Sequence, residues 1–152
     1  MVSFRSDRSW HFAVSPEELW DCLTVTDDYP QWWPWLRRFR PDGGFRRGAR
    51  WSCTVSPPLP YDVQFSVLLD EVDPARRVSA RVDGDVRGDA VLTVEGDTSG
   101  CTARLRSNLA PANPVLRSFG TVARPLVRWG HDWVLDQGQR QFVDRGLPTD
   151  MS

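Results

Sequence analysis

The chain has 152 residues, of which 40% are apolar and 26% charged, with a formal net charge of −1. That length suits one domain, which buries roughly 70% of its unfolded surface and so builds a core without covalent staples. Near-zero charge excludes a global field drawing the protein to nucleic acid or an anionic membrane, and no apolar run reaches the length of a membrane span.

All nineteen cationic side chains are arginine, a coding bias that also suits ion pairs and planar anions. Cys22, Cys53 and Cys101 are odd in number, widely spaced and without a C-x-x-C pair. They read as free thiols in a reducing compartment. The opening MVSFRSDRSWHF is too polar for a signal peptide. These features predict a cytoplasmic protein.

Trp10 and Phe12 alternate with Ser9, His11 and Ala13, which predicts a first strand ending near Val14. SPEELWDCL follows. Ser15 is a good N-cap, Pro16 fits the first helical position and Glu18 closes a capping box. A helix from Pro16 to about Leu23 is predicted, burying Leu19, Trp20 and Leu23. A second cap at Asp27 or Asp28 precedes YPQWWPWL, where Pro34 limits the helix to about two turns.

Gly43, Gly44 and Gly48 mark turns. From Ala49 the period becomes two. ARWSCTV sets Trp51, Cys53 and Val55 on one face, PPLP breaks the chain, and YDVQFSVLL aligns Tyr61, Val63, Phe65, Val67 and Leu69. RRVSARV, DAVLTVE and CTARLRSNL continue as strands between short acidic turns, which favours an antiparallel meander. Beyond Pro111 the period returns to about 3.6. Phe119, Ala123, Leu126, Gly130, Trp133 and Gln137 share one face of a helix running to about Arg145, flanked by Trp129 and Val134 and kinked or divided near Pro125. The expected architecture is a single α+β domain spanning 1–152. Two short helices follow the first strand, and a curved antiparallel sheet of about six to seven strands wraps a long C-terminal helix.

That order, with YPQWWPWL, GDVRGDAVLTV and RWGHDWVLDQGQRQF in their places, resembles the START-like (SRPBCC) superfamily. More closely it is similar to the polyketide cyclase/dehydrase and lipid-transport branch. The likeness covers nearly the whole chain. It implies a helix-grip fold that holds a hydrophobic ligand between sheet and C-terminal helix. Only some members are enzymes, and no catalytic residue carries over.

Any one of Trp33 and Trp35 reads first as core. Adjacent Trp32 and Trp33 cannot share one face of a two-turn helix, however, so at least one should turn toward a cavity mouth or solvent. The segment is therefore expected to supply core anchors and part of a lid. Trp51, Cys53, Val63, Phe65, Val78, Ala80, Val82, Leu92 and Val94 would face inward, where core and pocket wall are the same surface. Arg104, Arg106 and Asn108 alternate with Leu105, Ser107 and Leu109, and Arg81 lies between Ala80 and Val82. Solvent is the plainer reading for each arginine. The sharper one sets Arg81 or Arg106 against a ligand carboxylate or enolate, with Asn108 as a neutral donor.

His131 points off its helical stripe and His11 off its strand face. Neither they nor DGDVRGD make a metal site, and no cofactor fingerprint is present. The leading expectation is a carrier of a lipid, aromatic or polyketide-like molecule. Trp33, Trp35, Trp51, Phe65, Leu92, Trp129 and Trp133 would wall the pocket, and Arg81, Arg106 and Asn108 would orient the ligand. An aromatase/cyclase or dehydratase is the alternative, and a docking module built on Trp32–Trp35 a further one. Expected partners are a small hydrophobic molecule and, at most, a second copy of the chain, with no nucleic acid and no stable membrane insertion.

Overall fold

Period-two alternation becomes one antiparallel sheet of seven strands. The computed structural model describes residues 4–33, 35–56, 62–112 and 140–142. The strands are β1 (Phe4–Phe12), β2 (Leu36–Asp42), β3 (Arg50–Val55), β4 (Val63–Asp73), β5 (Arg77–Gly84), β6 (Val86–Asp97) and β7 (Gly100–Pro111). Their order across the sheet is β1-β7-β6-β5-β4-β3-β2. Strands β2 to β7 thus form the expected meander, while β1 closes onto β7. The chain-adjacent β1 and β2 end up on opposite edges.

Two helices make the crossing between those edges. Helix α1 (Pro16–Leu23) has its N-terminus where the sequence places it: Ser15 Oγ accepts from Glu18 N at 3.1 Å and Glu18 Oε1 accepts from Ser15 N at 3.4 Å. This reciprocal cap satisfies two otherwise orphaned donors. Leu19 and Trp20 are buried, and Leu23 packs half-buried beside them. A 3-10 turn (Thr26–Asp28) then runs straight into helix α2 (Tyr29–Trp32). A helix cap is expected from the sequence at Asp27 or Asp28. Both residues lie inside the turn, whose own N-cap is Val25.

Burial separates two faces. On β1, Arg5, Asp7, Ser9 and His11 are exposed, Ser6, Arg8 and Trp10 are half-buried and Phe12 is buried. The inner face continues through Cys101, Ala103, Val94, Val78, Ala80, Leu69 and Cys53, all buried. Strand β2 is the element the sequence pattern did not separate. A bulge between Leu36 and Arg38 breaks its alternation, and Arg37, Arg38 and Arg40 are exposed while Leu36 is buried. Close approach of β6 and β7 needs Gly88, where a Cβ would lie 1.9 Å from the Asn108 carbonyl oxygen.

The long helix expected beyond Pro111 falls outside the described residues except at 140–142, where Arg140 and Gln141 are helical. Phe142 is buried against Phe12, with ring centroids 5.8 Å apart. That contact sets Phe142 against the inner face of the sheet. No helix among the described residues is long and apolar enough to cross a membrane.

Candidate ligand-binding site

The tryptophan-rich stretch divides its labour as helical geometry demands. Trp32 is a core residue, only 6% exposed, whereas Trp33 and Trp35 stay half-buried. At 6% exposure Trp32 cannot be the centre of a surface docking patch. Tyr29 is the hub. Its ring lies 4.9 Å from Trp33, 5.1 Å from Trp32, 5.4 Å from Phe39 and 5.9 Å from Trp51. Its hydroxyl donates to the Leu23 carbonyl and so ties α2 to the end of α1. Burial holds that phenol well above its usual range.

The two most distinctive sequence segments meet here. Trp33 and Trp35 stack at 5.7 Å. Trp35 Nε1 donates to Gln141 Oε1 at 2.8 Å, and Phe142 sits 5.4 Å from Trp32 and 6.5 Å from Trp33. Trp51 Nε1 donates to the Gly44 carbonyl at 2.8 Å, so its ring is pinned to the β2–β3 turn. Both indoles thus spend their polar atom on the protein and leave ring surface for packing. Phe65 and Leu92 stand on the same inner face, half-buried.

Arg81, Arg106 and Asn108 are elsewhere. Register decides this: Arg81 lies opposite Asp89, Asp89 opposite Asn108, and Asn108 opposite Arg5, forming one row across the outer face. Arg81 is paired with Asp70 at 3.0 Å and its side chain is 71% exposed. Arg106 and Asn108 are exposed on the same side. They help line an open outer groove of about 410 Å³, with Arg5, Asp7, Asp89 and Val91. A second open groove, about 560 Å³, lies between Arg38, Arg40, Gln64, Asp83 and Asp85. The pocket role expected for the two arginines and Asn108 is therefore corrected: inward-facing neighbours Ala80, Ser107 and Leu109 occupy the face that they do not. Trp129, Trp133 and His131 fall outside the described residues.

What the sequence reading missed is that β1 itself carries polar groups inward. Continuing the alternation of Trp10 and Phe12 back along the chain reaches Arg8 and Ser6, and the structure puts both on the inner face, across from Leu105 and Ser107. The signal was present, but Arg8 sits in the polar run SFRSDRS, which hides it.

His11, Ser99 and Asp97 converge at the β6–β7 turn. Ser99 Oγ lies 3.0 Å from His11 Nε2, and Asp97 Oδ2 lies 3.6 Å from the same nitrogen. Asp97 Oδ1 also accepts from Ser99 N and Oγ, each at 2.7 Å. These bonds to Ser99, reinforced by His11, hold the Asp97 carboxyl below its usual range. Serine and aspartate compete for one ring nitrogen, so no proton relay runs through the imidazole, and the group is a turn lock on the outer face. The buried thiol of Cys53 is pushed up to about 12 by desolvation, which removes it as a nucleophile at neutral pH. Among the described residues no cluster of His, Cys, Asp and Glu could hold a metal ion.

The family model for polyketide cyclase / dehydrase and lipid transport matches residues 3–142. The chain belongs to this family. Solved structures share the fold at low identity. A protein from Thermus thermophilus aligns with TM-score 0.76 and 14% identity, covering 95% of this chain and 96% of that one. Norcoclaurine synthase from Thalictrum flavum, in complex with dopamine and hydroxybenzaldehyde, aligns with TM-score 0.63 and 14% identity over 95% of this chain and 88% of that one. The di-domain ARO/CYC StfQ of the steffimycin biosynthetic pathway aligns with TM-score 0.66 and 10% identity over 94% of this chain and 51% of that one. No curated protein matches the sequence.

Proposed function

We propose that this family member binds a small hydrophobic molecule, a lipid or an aromatic or polyketide-like compound, between the inner face of the sheet and the C-terminal segment. One observation carries the reading. Trp33, Trp35, Trp51, Phe65 and Leu92 lie on the inner side yet keep partial exposure, while Trp32, Leu69, Cys53 and Val94 around them are buried. A fully packed interior would have covered those large groups. Each Å² of apolar surface that a ligand covers contributes about 25 cal/mol before association costs. Trp129 and Trp133 would complete the wall from the C-terminal side. The family description and the aromatic molecules named with norcoclaurine synthase support this ligand class.

Native mass spectrometry of the purified chain, before and after organic extraction, tests it. A discrete co-purifying small molecule is expected, and the same spectra report monomer or homodimer. A bare mass, with tryptophan fluorescence unmoved by fatty acids and apolar aromatics, rules the reading out.

Cyclase or dehydratase chemistry on a polyketide-like chain is the second reading, favoured by the likeness to StfQ. Donors on the inner face could stabilise an enolate. A general base is still needed, and the described inner-face strand positions carry no Asp, Glu or His. Turnover of the extracted molecule by the protein would separate enzyme from carrier.

A further inference from the structure

We infer that the outer groove beside strand β2 is a second site, one that takes the phosphate of a phosphate monoester on Arg38 and Arg40. It stands apart from the hydrophobic site on the inner face. Arg38 and Arg40 are both exposed, two positions apart on β2 and so about 6.6 Å apart along the strand. The register sets Thr54 of β3 opposite Arg38 and Ser52 opposite Arg40, with Gln64 and Ser66 of β4 next in the two rows. Phe39, Cys53 and Phe65 form the row between them and turn to the inner face, where Cys53 is buried. The two outer rows line one open groove of about 560 Å³.

Arg38, Thr54, Arg40 and Ser52 thus make a two-by-two array of donors. Among the described residues none of these four side chains has a hydrogen bond or ion pair. Other arginines of the same outer face are matched: Arg81 pairs with Asp70, Arg87 with Asp83 and Arg104 with Asp7. The carboxylates on the far wall of the groove are already engaged. Asp83 lies 3.0 Å from Arg87, and Asp85 Oδ2 accepts from Gln64 N at 2.8 Å.

The charge around the groove is as uneven. From Arg37 to Arg50 the chain carries six arginines, all exposed, and one aspartate. That is +5 on one hairpin, against −6 on the rest of a chain whose total is −1. Such a local field concentrates small anions at this edge of the sheet, whatever the net charge.

The donors select the class of anion. A guanidinium only donates, through a planar fork that matches phosphate oxygens in pairs, and a hydroxyl adds one further donor. A phosphate monoester brings two charges and three acceptor oxygens, enough to engage both arginines and a hydroxyl together. A carboxylate has one charge and two oxygens, and satisfies one fork. The groove is larger than a phosphate, so the body of the ester has room along Gln64 and Ser66.

Titration of the full chain followed by two-dimensional amide NMR tests this, with glycerol 3-phosphate against glycerate at about pH 8, where the phosphate is a dianion. Glycerol 3-phosphate should shift the amides of residues 38–40, 52–54 and 64–66 and bind about tenfold or more tighter than glycerate. Arg38→Gln and Arg40→Gln should each weaken it severalfold, and the double variant should erase the preference. Arg106→Gln, on the outer face of β7, should change nothing. Sedimentation with phosphatidylcholine vesicles, with and without phosphatidic acid, separates the two sources of the same chemistry. Retention by phosphatidic acid in addition to glycerol 3-phosphate binding assigns a lipid headgroup, and glycerol 3-phosphate binding without retention assigns a soluble ester. Vesicle retention with no glycerol 3-phosphate binding overturns the groove site, because surface charge alone then accounts for it. No binding, equal binding of phosphate and glycerate, or a preference that survives the double variant with unchanged circular dichroism also overturns it. Each of these failures leaves the hydrophobic-binding reading untouched.

Discussion

Trp35 and Gln141 lie 106 positions apart in the chain and meet through one hydrogen bond of 2.8 Å, Nε1 donating to Oε1. Trp35→Phe removes the donor and Gln141→Leu removes the acceptor. A neutral bond of this kind contributes about 1 kcal/mol net. Trp35→Phe costs more than that, because it also trims the indole stacked on Trp33 at 5.7 Å. In a double-mutant cycle those packing losses cancel, and the coupling that remains should be about 1 kcal/mol. For a chain of this length that is about 2–4 °C in Tm. Urea unfolding followed by circular dichroism and by fluorescence measures it, with coincident transitions checking two-state behaviour. Additive single effects, within about 0.3 kcal/mol, would refute the idea that this bond ties the tryptophan segment to the C-terminus. Phe142 would then hold the segment alone.

Burial raises the folded values of the Tyr29 phenol and of the Cys53 thiol, the latter from 9.0 to about 12. Each is a neutral acid whose folded value lies above its unfolded one, so its contribution is complete below the unfolded value and declines as pH rises through the window between them. Urea midpoints should therefore fall between about pH 9 and pH 12, and Cys53→Ala should make the early part of that fall shallower; a flat profile contradicts the burial of both groups. Gly88→Ala drives a Cβ to 1.9 Å from the Asn108 carbonyl oxygen and should cost about 3 kcal/mol or more. A loss under about 1 kcal/mol would mean that β6 and β7 are not so closely apposed there.

Helix α1 was legible in full because its signals are local: Ser15, Pro16 and Glu18 act within one turn of each other. Strands β3 to β7 were legible because alternation runs through most of each, broken within β4 only by the register shift between Leu69 and Glu71. Strand β2 was not, because its bulge shifts the period within LRRFRPD and its arginines mask Leu36 and Phe39. The division between Trp32 in the core and half-buried Trp33 follows from helical geometry, although which of the two would be buried does not.

By itself the sequence determined helix α1, the strand character of β3 to β7, their antiparallel meander, the family and the apolar character of one sheet face. Those depend on periodicity and on contacts between chain neighbours. Tertiary structure alone decided which polar residues share that face. The pairing of β1 with β7 joins residues about a hundred positions apart, such as Ser6 and Ser107, and no local pattern encodes its register. Because side chains alternate, a strand's register commits every residue at once. It sends Arg81, Arg106 and Asn108 outward, where the outer face takes them, and turns Arg8 and Ser107 in.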